Sequence, residues 1–133
     1  MKELTISAAN ENLDKVQVFV GEFLEELGFK PKQVMQVNIA VEEIYINIAS
    51  YAYNPDVGAA TVRCIEAPDK VIIEFIDSGK PYNPLEREDP DVSKSAEERG
   101  VGGLGVFMVK QLMDNIGYRY ENGKNILIIE KNI

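Results

Sequence analysis

Residues 59–77 read AATVRCIEAPDKVIIEFID. Two apolar runs, 59–66 and 70–77, are joined by Ala67-Pro68-Asp69, so the stretch reads as two strands of a hairpin. On the N-terminal side, KELTIS at 2–7 reads as a short strand, and Asn10 or Asn12 is placed to cap a helix. Leu13, Val16, Val20, Phe23, Leu24 and Leu27 then recur at helical spacing until Gly28 stops the run. Pro31 suits the first turn of a second helix, expected from about Lys32 to about Tyr51. Asn54-Pro55-Asp56 and Gly58 form a turn back into the hairpin. On the C-terminal side, a helix is expected from about Leu104 to Asp114. Strands 116–121 and 125–131 follow, joined tightly at Asn122-Gly123. Adjacent hairpin strands with grouped helices predict an α+β two-layer sandwich: a mainly antiparallel, mixed sheet with helices on one face.

The 133 residues fit one domain spanning 1–133. Hydrophobic residues make up 45% and charged residues 27%, an ordinary globular balance. The single cysteine, Cys64, excludes an intramolecular disulfide or a cysteine-based zinc site. The chain has no histidine, which removes the Ser-His-Asp triad, histidine phosphotransfer and histidine-ligated metals. A net charge of −8 argues against a sequence-independent grip on nucleic acid. No stretch reaches the roughly 18 apolar residues of a membrane span, and no signal-like run opens the sequence. The expectation is a soluble cytoplasmic protein with neither membrane nor direct nucleic-acid contact.

Within the second helix, Val34, Val37, Val41, Ile44 and Ile48 form one apolar stripe. Met35, Ile39 and Ile46 form another. Glu43 and Asn47, four residues apart, fall between them. Polar groups so placed are costly unless partnered. They are either an ordinary i,i+4 pair bonded to each other or a functional pair. Asn47 is suited to offer an oxygen to Mg²⁺, and Glu43 to take a proton from a hydroxyl or water.

Val71, Ile73, Phe75 and Asp77 share one strand face, so Asp77 is an acid ending an apolar row, followed by Ser78-Gly79. It either makes an Asx turn or accepts a hydrogen bond from an exocyclic amine. Residues 78–105 hold three prolines and a charged run from Glu86 to Arg99. They close on GVGGLG, Gly100 to Gly105. A dinucleotide fingerprint would need a strand just before these glycines, and a P-loop would need Gly-Lys-Ser/Thr; neither is present. The segment is either a flexible tether or a set of backbone amides leading phosphate oxygens to a helix N-terminus.

These pieces together resemble the GHKL-type (Bergerat) ATP-binding fold shared by gyrase, MutL and sensor histidine kinases. Glu43-Ile44-Tyr45-Ile46-Asn47 resembles the N-box, Asp77-Ser78-Gly79 the first glycine box, and Gly100 to Gly105 the second. The resemblance implies ATP and Mg²⁺ as cofactors. It would put Asn47 on the metal, Asp77 with Gly79 at the adenine, and Gly100, Gly102, Gly103, Leu104 and Gly105 at the phosphates. Asn125 falls in a late element near the adenine, and residues 80–101 form a mobile ATP lid. A domain opening on a strand and the Asn12-Leu13 helix is similar to bacterial anti-sigma-factor serine kinases. In that group an ATP-bound homodimer holds a sigma factor and phosphorylates a small anti-anti-sigma protein. Glu43 matches the position of their catalytic base. Tyr51 stands where many relatives have histidine, and Lys80-Pro81-Tyr82-Asn83-Pro84 replaces a commoner glycine-phenylalanine-aspartate run. The reading is therefore a serine/threonine protein kinase; the alternatives are a nucleotide-binding switch without phosphotransfer and a structural adaptor.

Overall fold

The computed structural model describes residues 1–53, 56–86 and 103–133, the side chains of residues 103 and 104 excepted. Strand β1 spans Lys2–Ser7, helix α1 Leu13–Glu26 and helix α2 Pro31–Asn47. The hairpin strands are β2, Ala59–Glu66, and β3, Lys70–Asp77. Helix α3 spans Gly103–Leu112, and strands β4, Asn115–Glu121, and β5, Lys124–Asn132, end the chain. The sheet runs β1-β2-β3-β5-β4. Every pairing is antiparallel, so the expected mixed sheet narrows to an antiparallel one. Its last hairpin folds back so that β5, not β4, lies beside β3.

Local chemistry explains most boundaries. Helix α1 stops at Gly28, whose φ of +87° suits a residue without Cβ. Phe29 N donates to Leu24 O at 3.1 Å and Gly28 N to Glu25 O at 3.0 Å, a Schellman closure. Asn122 and Gly123 take φ values of 54° and 75°, the turn their pairing favours. Asn12 precedes α1 but does not cap it; its amide donates to Ser7 O at 2.8 Å instead. Helix α2 is shorter than its pattern suggests. Ile48–Ala52 continue it as a single π turn, a form that often marks functional positions.

Val16, Val20 and Leu24 of α1 meet Val37, Val41, Ile44 and Tyr45 of α2 over Val62, Ile73, Phe75 and Ile129 of the sheet. Each large apolar side chain so buried contributes about 1.5–3 kcal/mol. The Tyr45 hydroxyl shares its proton between Ala9 O (2.8 Å) and Ser7 O (3.0 Å), tying α2 to the exit of β1. The first apolar stripe of α2 is therefore core. The second faces outward: Met35 is 58% exposed and Ile46 36%. The far face of the sheet is held by ion pairs, Arg63 bridging Glu3 at 2.8 Å and Glu74 at 3.0 Å.

Candidate nucleotide site

A cavity of about 530 Å³ opens between α2, the π turn, the end of β3, residues 80–84, α3 and the last hairpin. That size falls within the range of small-molecule pockets. Its apolar walls include Ile44, Ile48, Val106, Val109, Ile116 and Leu127. Its polar lining includes Glu43, Asn47, Asp77, Lys80, Tyr118 and Asn125. Glu42 is not on that lining, as the helical wheel requires.

Glu43 and Asn47 both face this space from α2. Among the described residues neither side chain makes a hydrogen bond or ion pair, so they are not a mutually satisfied pair. Gly105 explains how α3 comes so close. A Cβ there would lie 2.5 Å from Glu43 Oε2, so only glycine leaves the carboxylate its position.

Asp77 is 6% exposed and sits where β3 ends. Its Oδ1 accepts from Gly79 N at 2.9 Å, the expected Asx turn, and from Asn125 Nδ2 at 3.0 Å. Oδ2 accepts nothing from the described residues. Of the two readings of Asp77, the Asx turn is present, on Oδ1. Gly79 is packed against the π turn: a Cβ there would stand 2.2 Å from Ala52 O, while Lys80 N donates to the same carbonyl at 3.0 Å. Tyr53 clamps the neighbouring strand ends, donating to Ala59 O at 2.6 Å and accepting from Ser78 N at 2.7 Å.

Asn125 lines the cavity beside Asp77. Its Oδ1 accepts from Tyr82 N at 3.1 Å and from the Tyr118 hydroxyl. Its Nδ2 donates to Asp77 Oδ1, to Lys80 O at 2.9 Å and, more weakly, to Gly79 O at 3.4 Å. The side chain is spent on protein partners. It orients Asp77 and pins residues 79–82.

Gly103 opens α3, and Leu104 follows in it. Gly100 and Gly102, and residues 87–101 of the expected lid, lie outside the described residues. Tyr51 and Tyr118 line the cavity without having been assigned a role there, and so do Lys80 and Tyr82, expected only as part of the lid. Tyr118 carried a readable signal, a hydroxyl on the inward row Ile116-Tyr118; the others become visible only once the chain is folded.

The lining suits a magnesium nucleotide. Mg²⁺ takes few protein ligands and keeps phosphate and water oxygens, so one unpartnered amide oxygen from Asn47 is enough. Among the described residues there is no cluster of three or more acidic or thiol ligands, as a protein-caged metal would need. No helix among them is long and apolar enough to cross a membrane.

The sequence is 28% identical over 130 residues to the serine-protein kinase RsbW of Bacillus cereus, covering 95% of this chain and 81% of the relative. It is 26% identical over 130 residues to the RsbW of Bacillus mycoides, with the same coverage. Among solved structures, the fold is similar to the RsbU and RsbW domains of a Mycobacterium tuberculosis protein. There the TM-score is 0.64 at 16% identity, over 98% of this chain and 32% of that one. It is also similar to the SiaB–SiaC complex from Pseudomonas aeruginosa, with a TM-score of 0.61 at 16% identity, over 98% of this chain and 89% of that one. The model of the histidine kinase-like ATPase domain matches residues 6–131, nearly everything just described. By that match, the chain belongs to the histidine kinase-like ATPase family.

Proposed function

We propose that the chain is an ATP-dependent serine/threonine protein kinase of the cytoplasm. It would act as an anti-sigma regulator by phosphorylating a small anti-anti-sigma protein. The observation that carries this reading is that Glu43 and Asn47 face one cavity with Asp77, each offering an oxygen that no described residue satisfies. The RsbW relatives, named as serine-protein kinases, support the choice of acceptor. Support for a protein partner comes from the SiaB–SiaC neighbour, solved as a complex. The sigma factor and the homodimer rest on the resemblance of the sequence motifs.

When bound, Mg²⁺ would neutralise the charge on the nucleotide phosphates. Phosphoryl transfer asks the protein mainly to position groups and balance charge. Asp77 Oδ2 would accept from the exocyclic amine of the base, and the Asn47 oxygen would ligate the metal. The Glu43 carboxylate, one turn from Asn47, would take the proton of the acceptor hydroxyl. The lack of a Cβ at Gly105 leaves room for that carboxylate.

Incubation with labelled ATP, Mg²⁺ and a candidate antagonist protein, with detection of phosphoserine, tests the reading. Glu43→Gln is expected to keep ATP binding and lose about 10²–10⁴ in transfer rate, since an amide cannot accept the proton. Asn47→Ala is expected to lose both. Transfer by Glu43→Gln at the wild-type rate removes Glu43 from the chemistry. A wild-type protein that binds ATP but labels no partner turns the reading into a nucleotide switch without catalysis.

A further inference from the structure

Lys80 is the one cation lining the cavity among the described residues; the charged side chains Glu43 and Asp77 beside it are both acids. The backbone of Lys80 is pinned on both sides. Its N–H donates to Ala52 O at 3.0 Å, and its carbonyl accepts from Asn125 Nδ2 at 2.9 Å. Pro81 follows, which restricts Lys80 itself to extended backbone. The side chain is exposed and makes no ion pair or hydrogen bond among the described residues. A lysine whose backbone is fixed and whose ammonium is unpaired among the described residues, lining a cavity in a chain of net charge −8, suits an anionic ligand.

The position of Lys80 narrows which anion it meets. Through Asn125 its carbonyl belongs to the same hydrogen-bond cluster as Asp77. We infer that the Lys80 ammonium binds the phosphate nearest the nucleoside, and so distinguishes a nucleotide from a nucleoside. This rests on the nucleotide reading above and adds a residue to it. A lysine acts here as a flexible point charge, so arginine should substitute for it.

Calorimetric titration of adenosine, AMP, ADP and ATP into wild type, Lys80→Gln and Lys80→Arg tests the inference. Adenosine and AMP are measured in EDTA, which removes the metal from the comparison. Lys80→Gln is expected to weaken AMP, ADP and ATP by a common factor of about fivefold at low salt, the upper range for an exposed ion pair. Adenosine should be unchanged, Lys80→Arg should bind as wild type, and the loss should shrink as salt rises. The inference is overturned if Lys80→Gln binds AMP as tightly as wild type, or loses adenosine to the same extent. In either case the nucleotide site itself stands. A wild type that binds none of the four ligands removes both the site and this role for Lys80. Thermal unfolding of the ligand-free variants, expected to match wild type because the side chain is exposed, keeps folding out of the comparison.

Discussion

Asn125→Asp changes one atom's chemistry and leaves the shape of the side chain alone. In the wild type, Asn125 Nδ2 donates to Asp77 Oδ1 at 3.0 Å and to Lys80 O at 2.9 Å. In the variant a carboxylate oxygen would face both acceptors. Two unit charges 3.0 Å apart repel by about 5 kcal/mol at an effective dielectric constant of about 20. Taking up a proton is cheaper: neutralising an ordinary aspartate at pH 7 costs about 4 kcal/mol. The introduced carboxyl should therefore be protonated in the folded variant, its single O–H replacing one of the two lost N–H donors. The folded state then binds a proton that the unfolded state has released, so stability falls as pH rises. The pH-dependent part of the expected loss is about 4 kcal/mol at pH 7, shrinking by about 1.4 kcal/mol for each pH unit below that, down to the usual carboxyl range, and the acceptor left without a donor adds about 1–3 kcal/mol at every pH. A domain of this size has only about 5–15 kcal/mol in all. Urea unfolding followed by circular dichroism from pH 5 to pH 8 measures the difference from wild type. Asn125→Ala provides the contrast, a loss of about 2–4 kcal/mol from unpaired buried groups with no added pH dependence. If Asn125→Asp stays within about 1 kcal/mol of wild type across the range, the side chain is not the saturated hub described above.

Gly105→Ala should separate stability from activity. Its new Cβ would displace Glu43 Oε2, the tip of a flexible side chain, while alanine favours the helix by up to about 1 kcal/mol. An unchanged or raised melting temperature with a large loss of phosphotransfer is expected, and transfer at the wild-type rate would show that the Glu43 position is unimportant. Cys64 is wholly buried, and that burial pushes its thiol up to about 12. Thiol reagents at pH 8 should leave the native protein unlabelled and react only after denaturant is added. Fast labelling of the native protein would mean that the β2 core opens readily.

Short-range chemistry carried much of the fold into the sequence. The i, i+3, i+4 spacing of α1, the stop at Gly28, the Pro68-Asp69 and Asn122-Gly123 turns and the apolar row ending in Asp77 all depend on neighbours within a few residues. They were legible for that reason. The three candidate polar positions Glu43, Asn47 and Asp77 stood out because each interrupts an apolar pattern, and all three reach one cavity. What remained hidden depends on contacts between distant segments. Both stripes of α2 are apolar, and only packing against α1 and the sheet made one core and left Met35 and Ile46 exposed. The helix pattern runs through Tyr51, but the contact of Ala52 with Gly79 and Lys80 accompanies its change to a π turn. Asn125 resembled a ligand contact by its place in the chain. The fold gave it five protein partners, because β5 inserts beside β3 and carries Asn125 opposite Asp77. Lys80 is one lysine among many in the sequence. It comes to line the pocket only when segments near residues 52 and 125, remote along the chain, hold its backbone between them.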